Sequence, residues 1–154
     1  MSTGLWIALA AVVLALTFGG YRALTDGRFR GTRDLRPDAG APDETPAEET
    51  AWAAVASALP EATAGERATL VQFSSAFCAP CRATRRVLSE VAEVVPGVTH
   101  IEVDAEQHLE LVRTLGVLRT PTTLVLDAAG RESTRASGAP RKEAVLASLE
   151  RAVD

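Results

Sequence analysis

Cysteine is scarce in this chain. Its 154 residues include only two cysteines, and two residues separate them. A framework of structural disulfides needs several pairs at wider separations, so that class of fold is excluded. A bridge across so short a loop also removes little entropy from the unfolded chain. Redox chemistry or metal binding therefore explains the pair better than stability does.

Aromatic residues and excess positive charge are lacking as well. Aromatics make up 5% of the chain, so a core must be built mainly from Ala, Val and Leu. The net charge of −4 at pH 7 offers no electrostatic attraction for nucleic acid, and no such partner is expected. Hydrophobic residues make up 47% of the chain, which is enough for one globular core. The length allows one ordinary domain and an appendage.

Charged side chains are absent from the first 21 residues, and residues 5–18 are almost entirely apolar. A helix of about 20 such residues spans about 30 Å of hydrocarbon. Residues 1–21 are therefore predicted to form one transmembrane anchor, which contacts the membrane through residues 5–21. A cleaved signal peptide is the alternative, but Lys and Arg are missing from its start and no convincing cleavage site follows.

Residues 22–49 are predicted to link this anchor to a folded domain. Arginines follow the apolar stretch closely, and positive charge beside a membrane segment tends to stay in the cytoplasm. We expect a single-pass protein of the cell membrane with its soluble domain in the cytoplasm; a domain on the outer face is the alternative. Residues 37–50 contain three prolines, five acidic residues and no basic one, which is typical of an extended tether.

Residues 50–154 show the alternating periodicities of an α/β domain. In the third predicted helix, Leu109, Val112 and Leu115 are expected to point inward. The order of elements predicts parallel strands with helices on both faces and an antiparallel hairpin at one edge. Apolar spacing and turn residues predict helices at 50–59, 81–95, 106–115 and 140–153, and strands at 68–74, 98–103, 122–127 and 131–136.

The two cysteines form the motif Cys78-Ala79-Pro80-Cys81, between a predicted strand and a predicted helix. Cys78 falls at the helix N-terminus, where unpaired N–H groups and the helix dipole should lower its pKa below the usual value of about 8.5. Pro80 suits the first turn because it has no N–H to leave unpaired. Cys81 lies one turn further along and should be shielded. Cys78 is therefore predicted to attack a disulfide, and Cys81 to resolve the mixed disulfide.

A metal-binding function is the main alternative for the same two thiols. Zinc needs four ligands, and the available histidines, His100 and His108, are not expected to bind metal. A two-thiolate site for copper(I) is chemically possible. Arg82, Arg85 and Arg86 could add positive potential near the thiols, although a solvated helix face is the expected interpretation. No metal and no cofactor are predicted.

Two segments, FSSAFCAPCRATRRVL and VDAEQHLELVRTLGVLRTPTTLVLDAAGR, resemble the thioredoxin superfamily. The resemblance runs from about residue 68, or already from residue 50, to the C-terminus. It implies a thioredoxin-like fold, a central mixed sheet flanked by helices, here preceded by the N-terminal anchor. It also implies that Pro121 is cis and that the backbone of Thr120 pairs with an extended substrate segment.

The chain departs from the family pattern at three places. Phe77 stands where the family usually has Trp, and Ala79-Pro80 replaces the commoner Gly-Pro. Gln72 stands where a buried Asp is usual; an amide cannot take a proton, so help in deprotonating Cys81 comes from water or another group, or is absent. The predicted function is a membrane-tethered thiol–disulfide oxidoreductase, working as a reductase on protein disulfides with an unidentified electron donor. A copper(I) carrier and a thiol-redox sensor are the alternatives.

Overall fold

The structure is a computed structural model that describes residues 3–25, 27–31 and 50–153. The tether predicted at residues 37–49 lies outside these ranges. The helices and strands, in chain order, are α1 (Thr3–Thr25), β1 (Phe29–Gly31), α2 (Ala51–Ala58), β2 (Ala68–Ser74), α3 (Ala79–Val94), β3 (Val98–Asp104), α4 (Leu109–Thr114), β4 (Thr122–Asp127), β5 (Glu132–Ser137) and α5 (Lys142–Val153).

The five strands form one mixed sheet in the order β1-β5-β4-β2-β3. Strands β2 and β3 are parallel, and the other neighbours are antiparallel. Strand side chains alternate between the two faces, so each face buries its own core. One core contains Val55 of α2 and Leu111 of α4, and the other contains Leu88 of α3 and Leu149 of α5. This arrangement confirms the predicted central mixed sheet with helices on both faces. The expectation of parallel strands up to a hairpin at the edge is wrong, because β4 is antiparallel to β2 and β1 lies outside β5.

The predicted order of elements after residue 50 is confirmed, but α4 begins three residues later than predicted. The Asp104 carboxylate accepts a hydrogen bond from the Glu106 amide at 2.8 Å, and such a turn competes with helix formation. The delay changes which residues face the core. Leu109, which was expected to point inward, is 53% exposed, and Leu111 is buried instead. The prediction for Leu109 is wrong.

The strand β1 lies in the segment for which the composition predicts only a linker, at residues 22–49, and that prediction is wrong for residues 29–31. The strand pairs with β5, with Phe29 opposite Ala136. The Phe29 side chain packs against the core between the sheet and helices α3 and α5. The Gly27 amide donates to the Ser137 carbonyl at 2.9 Å, which starts the pairing. The segment after α1 is thus part of the sheet.

The first helix, α1, confirms a helix in the apolar N-terminal stretch and extends four residues past the predicted end at residue 21. Among residues 3–25, 27–31 and 50–153, none of the helices has the length and apolar character needed to cross a membrane. The transmembrane helix predicted at residues 1–21 is therefore not found. Large apolar side chains of α1 are exposed, including Trp6, Ile7, Leu14, Leu16 and Phe18.

Docking of β1 depends on Gly27. Its φ is +73°, a value that L side chains rarely adopt, and a Cβ at this position would lie 2.1 Å from the Ala139 carbonyl oxygen. We expect Gly27→Val to cost about 1–3 kcal/mol through strain, or to release β1 from the sheet. In either case hydrogen exchange of amides at the β5 edge should accelerate. Gly19→Val is the control, because the added Cβ would lie within 4 Å of no atom beyond its chain neighbours and the backbone of its own helix. Unchanged exchange in Gly27→Val would contradict the importance of this contact.

Candidate active site

The two cysteines lie where β2 ends and α3 begins. They form a disulfide with a Cα–Cα distance of 5.2 Å, so the structure represents the oxidised form. Cys78 is the N-cap of α3, and its sulfur accepts a hydrogen bond from the Cys81 amide at 3.1 Å. Ala79 and Pro80 form the first two positions of the helix. The Cys78 sulfur therefore faces the unpaired N–H groups of a helix N-terminus, where negative charge is stabilised.

The two sulfurs differ in access. Cys81 is 2% exposed, whereas Cys78 is half-buried. The preceding residue, Phe77, is 99% exposed and covers no part of the protein. Leu118, two residues before Thr120, is 95% exposed. An approaching sulfur atom can reach Cys78 and not Cys81, and it would meet the exposed apolar side chain of Phe77 next to Cys78 in the chain.

The peptide bond between Thr120 and Pro121 is cis, which confirms the prediction for Pro121. Pro121 is buried, and its carbonyl accepts a hydrogen bond from the Gly138 amide at 2.7 Å. The Thr120 hydroxyl lies 3.1 Å from the hydroxyl of Ser75, three residues before Cys78. This contact holds the proline loop beside the segment that carries the cysteines.

Gln72 lies on β2 beneath the start of α3 and is fully buried. Its amide nitrogen donates to the Cys81 carbonyl at 3.0 Å and to the Ser74 hydroxyl at 2.7 Å. Its carbonyl oxygen lies 3.2 Å from Nε2 of His100. A buried amide left without such partners would cost about 1–3 kcal/mol, so these contacts are needed for Gln72 to occupy this position. Gln72 thus contacts Cys81 directly.

His100 completes this network on β3. Because the Gln72 oxygen can only accept, Nε2 of His100 carries the proton, and Nδ1 accepts from the Ser89 hydroxyl at 3.1 Å. Each nitrogen of the neutral ring thus has a hydrogen-bond partner. Burial lowers the pKa of His100 from the ordinary 6.5; the nearby Glu102 carboxylate opposes this change and Arg85 adds to it. Within the described ranges, no cluster of three or more His, Cys, Asp or Glu side chains is placed to hold a metal ion.

Glu102 and Arg85 form an ion pair beside the cysteines. Arg85 Nε lies 2.5 Å from one carboxylate oxygen of Glu102, and Nη2 donates to the other at 2.7 Å. The Ser74 hydroxyl donates to the same carboxylate at 2.6 Å. Burial raises the pKa of Glu102, but the hydrogen bonds from Arg85 and Ser74 outweigh it and lower the pKa below the usual 4.5. Glu102 is therefore ionised at neutral pH.

These groups share one open cleft of about 280 Å³ with the disulfide. The sequence does not predict that Glu102 pairs with Arg85, although the alternation of residues along β3 indicates which side of the sheet Glu102 faces. His100, Glu102 and Asp104 alternate along β3 with Ile101 and Val103, so the polar side chains share the face of the sheet that α3 covers. The cleft is lined by Ser74, Ser75, Ala76, Cys78, Cys81, Arg82, Arg85, Glu102 and Asp104.

Comparison with known proteins identifies relatives of this domain. A thioredoxin family model matches residues 53–151. A thioredoxin of Alicyclobacillus acidocaldarius is 33% identical over 90 residues, which cover 58% of this chain and 85% of the relative. Thioredoxin H2-1 of Oryza sativa is 34% identical over 74 residues, which cover 48% of this chain and 53% of the relative.

Solved structures show the same architecture. A mutant thioredoxin from Halobacterium salinarum aligns with a TM-score of 0.54 at 20% identity, covering 58% of this chain and 77% of its own. At this identity the likeness concerns the fold alone. The thioredoxin of Fasciola hepatica aligns with a TM-score of 0.51 at 27% identity, covering 57% of this chain and 83% of its own.

The lowered pKa of His100 predicts a stability that depends on pH. As the pH falls through 6.5, the unfolded chain takes up a proton at this position before the folded chain does, so stability decreases. The slope can reach at most about 1.4 kcal/mol per pH unit for one proton. The pKa of Glu102 is lowered from 4.5, so protonation of Glu102 contributes to the pH dependence of stability below this window. We expect denaturant unfolding between pH 7.5 and 5.5 to show a flatter profile for His100→Gln than for the wild type. Identical profiles would contradict the assignment.

Proposed function

The chain belongs to the thioredoxin family and is a thiol–disulfide oxidoreductase, and on this premise we propose that it reduces disulfides of partner proteins while attached to a membrane. The observation that carries the proposal is the unequal access of the two sulfurs. Cys78 is reachable at the N-terminus of α3, and Cys81 is buried one turn further along. This arrangement separates the attacking thiol from the resolving thiol.

In the first step, the Cys78 thiolate attacks one sulfur of a partner disulfide. A bond forms between the two sulfurs, the partner disulfide breaks, and the second partner sulfur leaves as a thiolate. The N–H groups at the start of α3 stabilise the attacking thiolate, and the Cys81 amide donates directly to it. The exposed side chains of Phe77 and Leu118 offer an apolar surface on which a partner segment can rest.

In the second step, Cys81 loses its proton and attacks the Cys78 sulfur of the mixed disulfide. This attack releases the partner as a dithiol and forms the disulfide seen in the structure. Two electrons have then passed from the protein to the partner, and an external donor must return them. Gln72 contacts the Cys81 carbonyl but cannot accept the proton, so it acts by holding the resolving cysteine in position.

Substitution of each cysteine separates the two steps. Cys78→Ser should abolish reduction of insulin disulfides, because no accessible nucleophile remains. Cys81→Ser should also lose turnover but should accumulate mixed disulfides with the substrate, which non-reducing electrophoresis detects. The double variant serves as the control for trapping.

Normal reduction of insulin disulfides by either single variant would contradict the proposal. Tight, stoichiometric binding of copper(I) by the reduced wild type, without measurable disulfide exchange, would instead favour a copper(I) carrier. Partner docking without turnover would favour a redox sensor.

Attachment to a membrane through α1, with the domain on the cytoplasmic side, is a further part of the proposal. It is supported by the large apolar side chains that α1 exposes, such as Leu14, Leu16 and Phe18, because a contiguous apolar surface of this kind is normally covered. The arginines that follow the helix in the sequence support the cytoplasmic side.

Fractionation of cells tests the attachment. We expect the full chain to sediment with membranes and a chain without residues 1–21 to remain in the supernatant. Recovery of the full chain in the soluble fraction would disprove attachment. A second experiment tests on which side of the membrane the domain lies. With Cys78→Ser and Cys81→Ser in place, a single cysteine introduced by Ala39→Cys should not react with an impermeant maleimide in intact cells if the domain is cytoplasmic. Labelling would place the domain outside.

A further inference from the structure

The two steps of disulfide exchange assign no role to the ion pair between Arg85 and Glu102. Arg85 follows Cys81 by one turn of α3, and Glu102 reaches the same cleft from β3. Both oxygens of the carboxylate are held by the guanidinium, and Ser74 adds a third hydrogen bond. The pair thus places two fixed, opposite charges in the cleft that contains both sulfurs.

Fixed charges affect only one of the two redox forms. The disulfide carries no charge, whereas adding two electrons and one proton gives the reactive reduced form, with a Cys78 thiolate and a Cys81 thiol. A nearby positive charge stabilises the thiolate and so favours the reduced form, and a negative charge does the opposite. Arg85 alone would therefore make the couple more oxidising, and Glu102 alone would make it more reducing.

We propose that the Arg85–Glu102 pair sets the reduction potential of the Cys78–Cys81 couple, with Glu102 cancelling the stabilisation that Arg85 would otherwise give to the Cys78 thiolate. This role rests on the proposed disulfide exchange and adds to it. A cancelled positive charge keeps the couple on the reducing side, which suits a protein that donates electrons. Arg85 and Glu102 act on the Cys78 thiolate through the electric field of their charges and not by contact.

Other charges near the cleft do not supply the same control. Arg82 also lines the cleft but is exposed on α3, and Asp104 lines it from the end of β3. His100, next to Glu102 on the same face, is held neutral by burial. Arg82 and Asp104 are present in every variant, so their contributions cancel in a comparison of variants. The pKa of His100 responds to both members of the pair, so the comparison is made at pH 7.5, above the ordinary 6.5. The side chains of Arg85 and Glu102 are 56% and 24% exposed, so solvent screens their effect and a moderate shift is expected.

The test is the equilibrium of the full-length protein with glutathione at pH 7.5, in which the protein disulfide plus two glutathione thiols gives the protein dithiol plus glutathione disulfide. Glu102→Gln should raise the equilibrium constant for reduction about threefold to tenfold, where tenfold corresponds to about 30 mV. Arg85→Gln should lower it by a similar factor. The double variant Arg85→Gln, Glu102→Gln should return close to the wild-type value. The pH midpoint of the Cys78 thiolate absorbance should fall in the first variant and rise in the second.

Variants that preserve the charge distinguish an electrostatic effect of the pair from an effect of its packing and hydrogen-bond geometry. Arg85→Lys and Glu102→Asp should stay within about twofold of the wild-type constant, although both change the hydrogen-bond geometry. Glu90→Gln is the matched control, because Glu90 lies on the same helix and pairs with Lys142 outside the cleft. It should leave the constant unchanged. Thermal unfolding of each oxidised variant verifies that it is folded.

The outcomes are distinct. Shifts of the same sign in Glu102→Gln and Arg85→Gln, or no shift in either folded variant, would overturn the role of the pair and leave the oxidoreductase proposal intact. A double variant as far from the wild type as either single variant would also overturn it. Failure of the wild-type protein to exchange with glutathione at all would instead count against the proposed disulfide exchange itself.

Discussion

The hydrogen bond from the Gln72 amide to the Cys81 carbonyl joins strand β2 of the sheet to the first turn of α3. It crosses a buried region in which an unpaired amide or carbonyl would be costly, so strand and helix can approach only in the register that makes it. The rest of the site follows from that register. Cys81 is buried against the sheet, Cys78 is left at the accessible helix terminus, and Ser74 turns toward Glu102.

The same network separates two kinds of residue around the disulfide. On the side of the sheet, Gln72 and His100 carry no charge and are satisfied by one another and by serine hydroxyls. On the side of solvent, Arg85 and Glu102 are charged and face the cleft. A buried neutral layer keeps the geometry of the cysteines independent of pH above 6.5, and the outer charged layer is free to adjust their redox chemistry. The layered arrangement explains how a site without a buried carboxylate can still be tuned.

The cis-proline loop ties the opposite edge of the sheet to this centre. The Gly138 amide bonds to the Pro121 carbonyl, and the adjacent Ser137 carbonyl accepts from both the Gly27 amide and the Arg119 guanidinium. The contact between Gly27 and Ser137 therefore lies one residue away from the hydrogen bond that holds the proline loop.

Much of this architecture could be read from local patterns. Strands β2 and β4 have the predicted bounds, Cys78 lies at the N-terminus of α3 as predicted, and the bond before Pro121 is cis. Strand periodicity, helix capping and the spacing of the motif are properties of neighbouring residues. Strand β1 and the pairing of Arg85 with Glu102 were decided only by the tertiary structure. Each depends on a partner far away in the chain: β5 for Phe29, and α3 for a glutamate on β3. A residue's own neighbours do not specify which distant hydrogen-bond donor or charge will lie within about 3 Å of it once the sheet has formed.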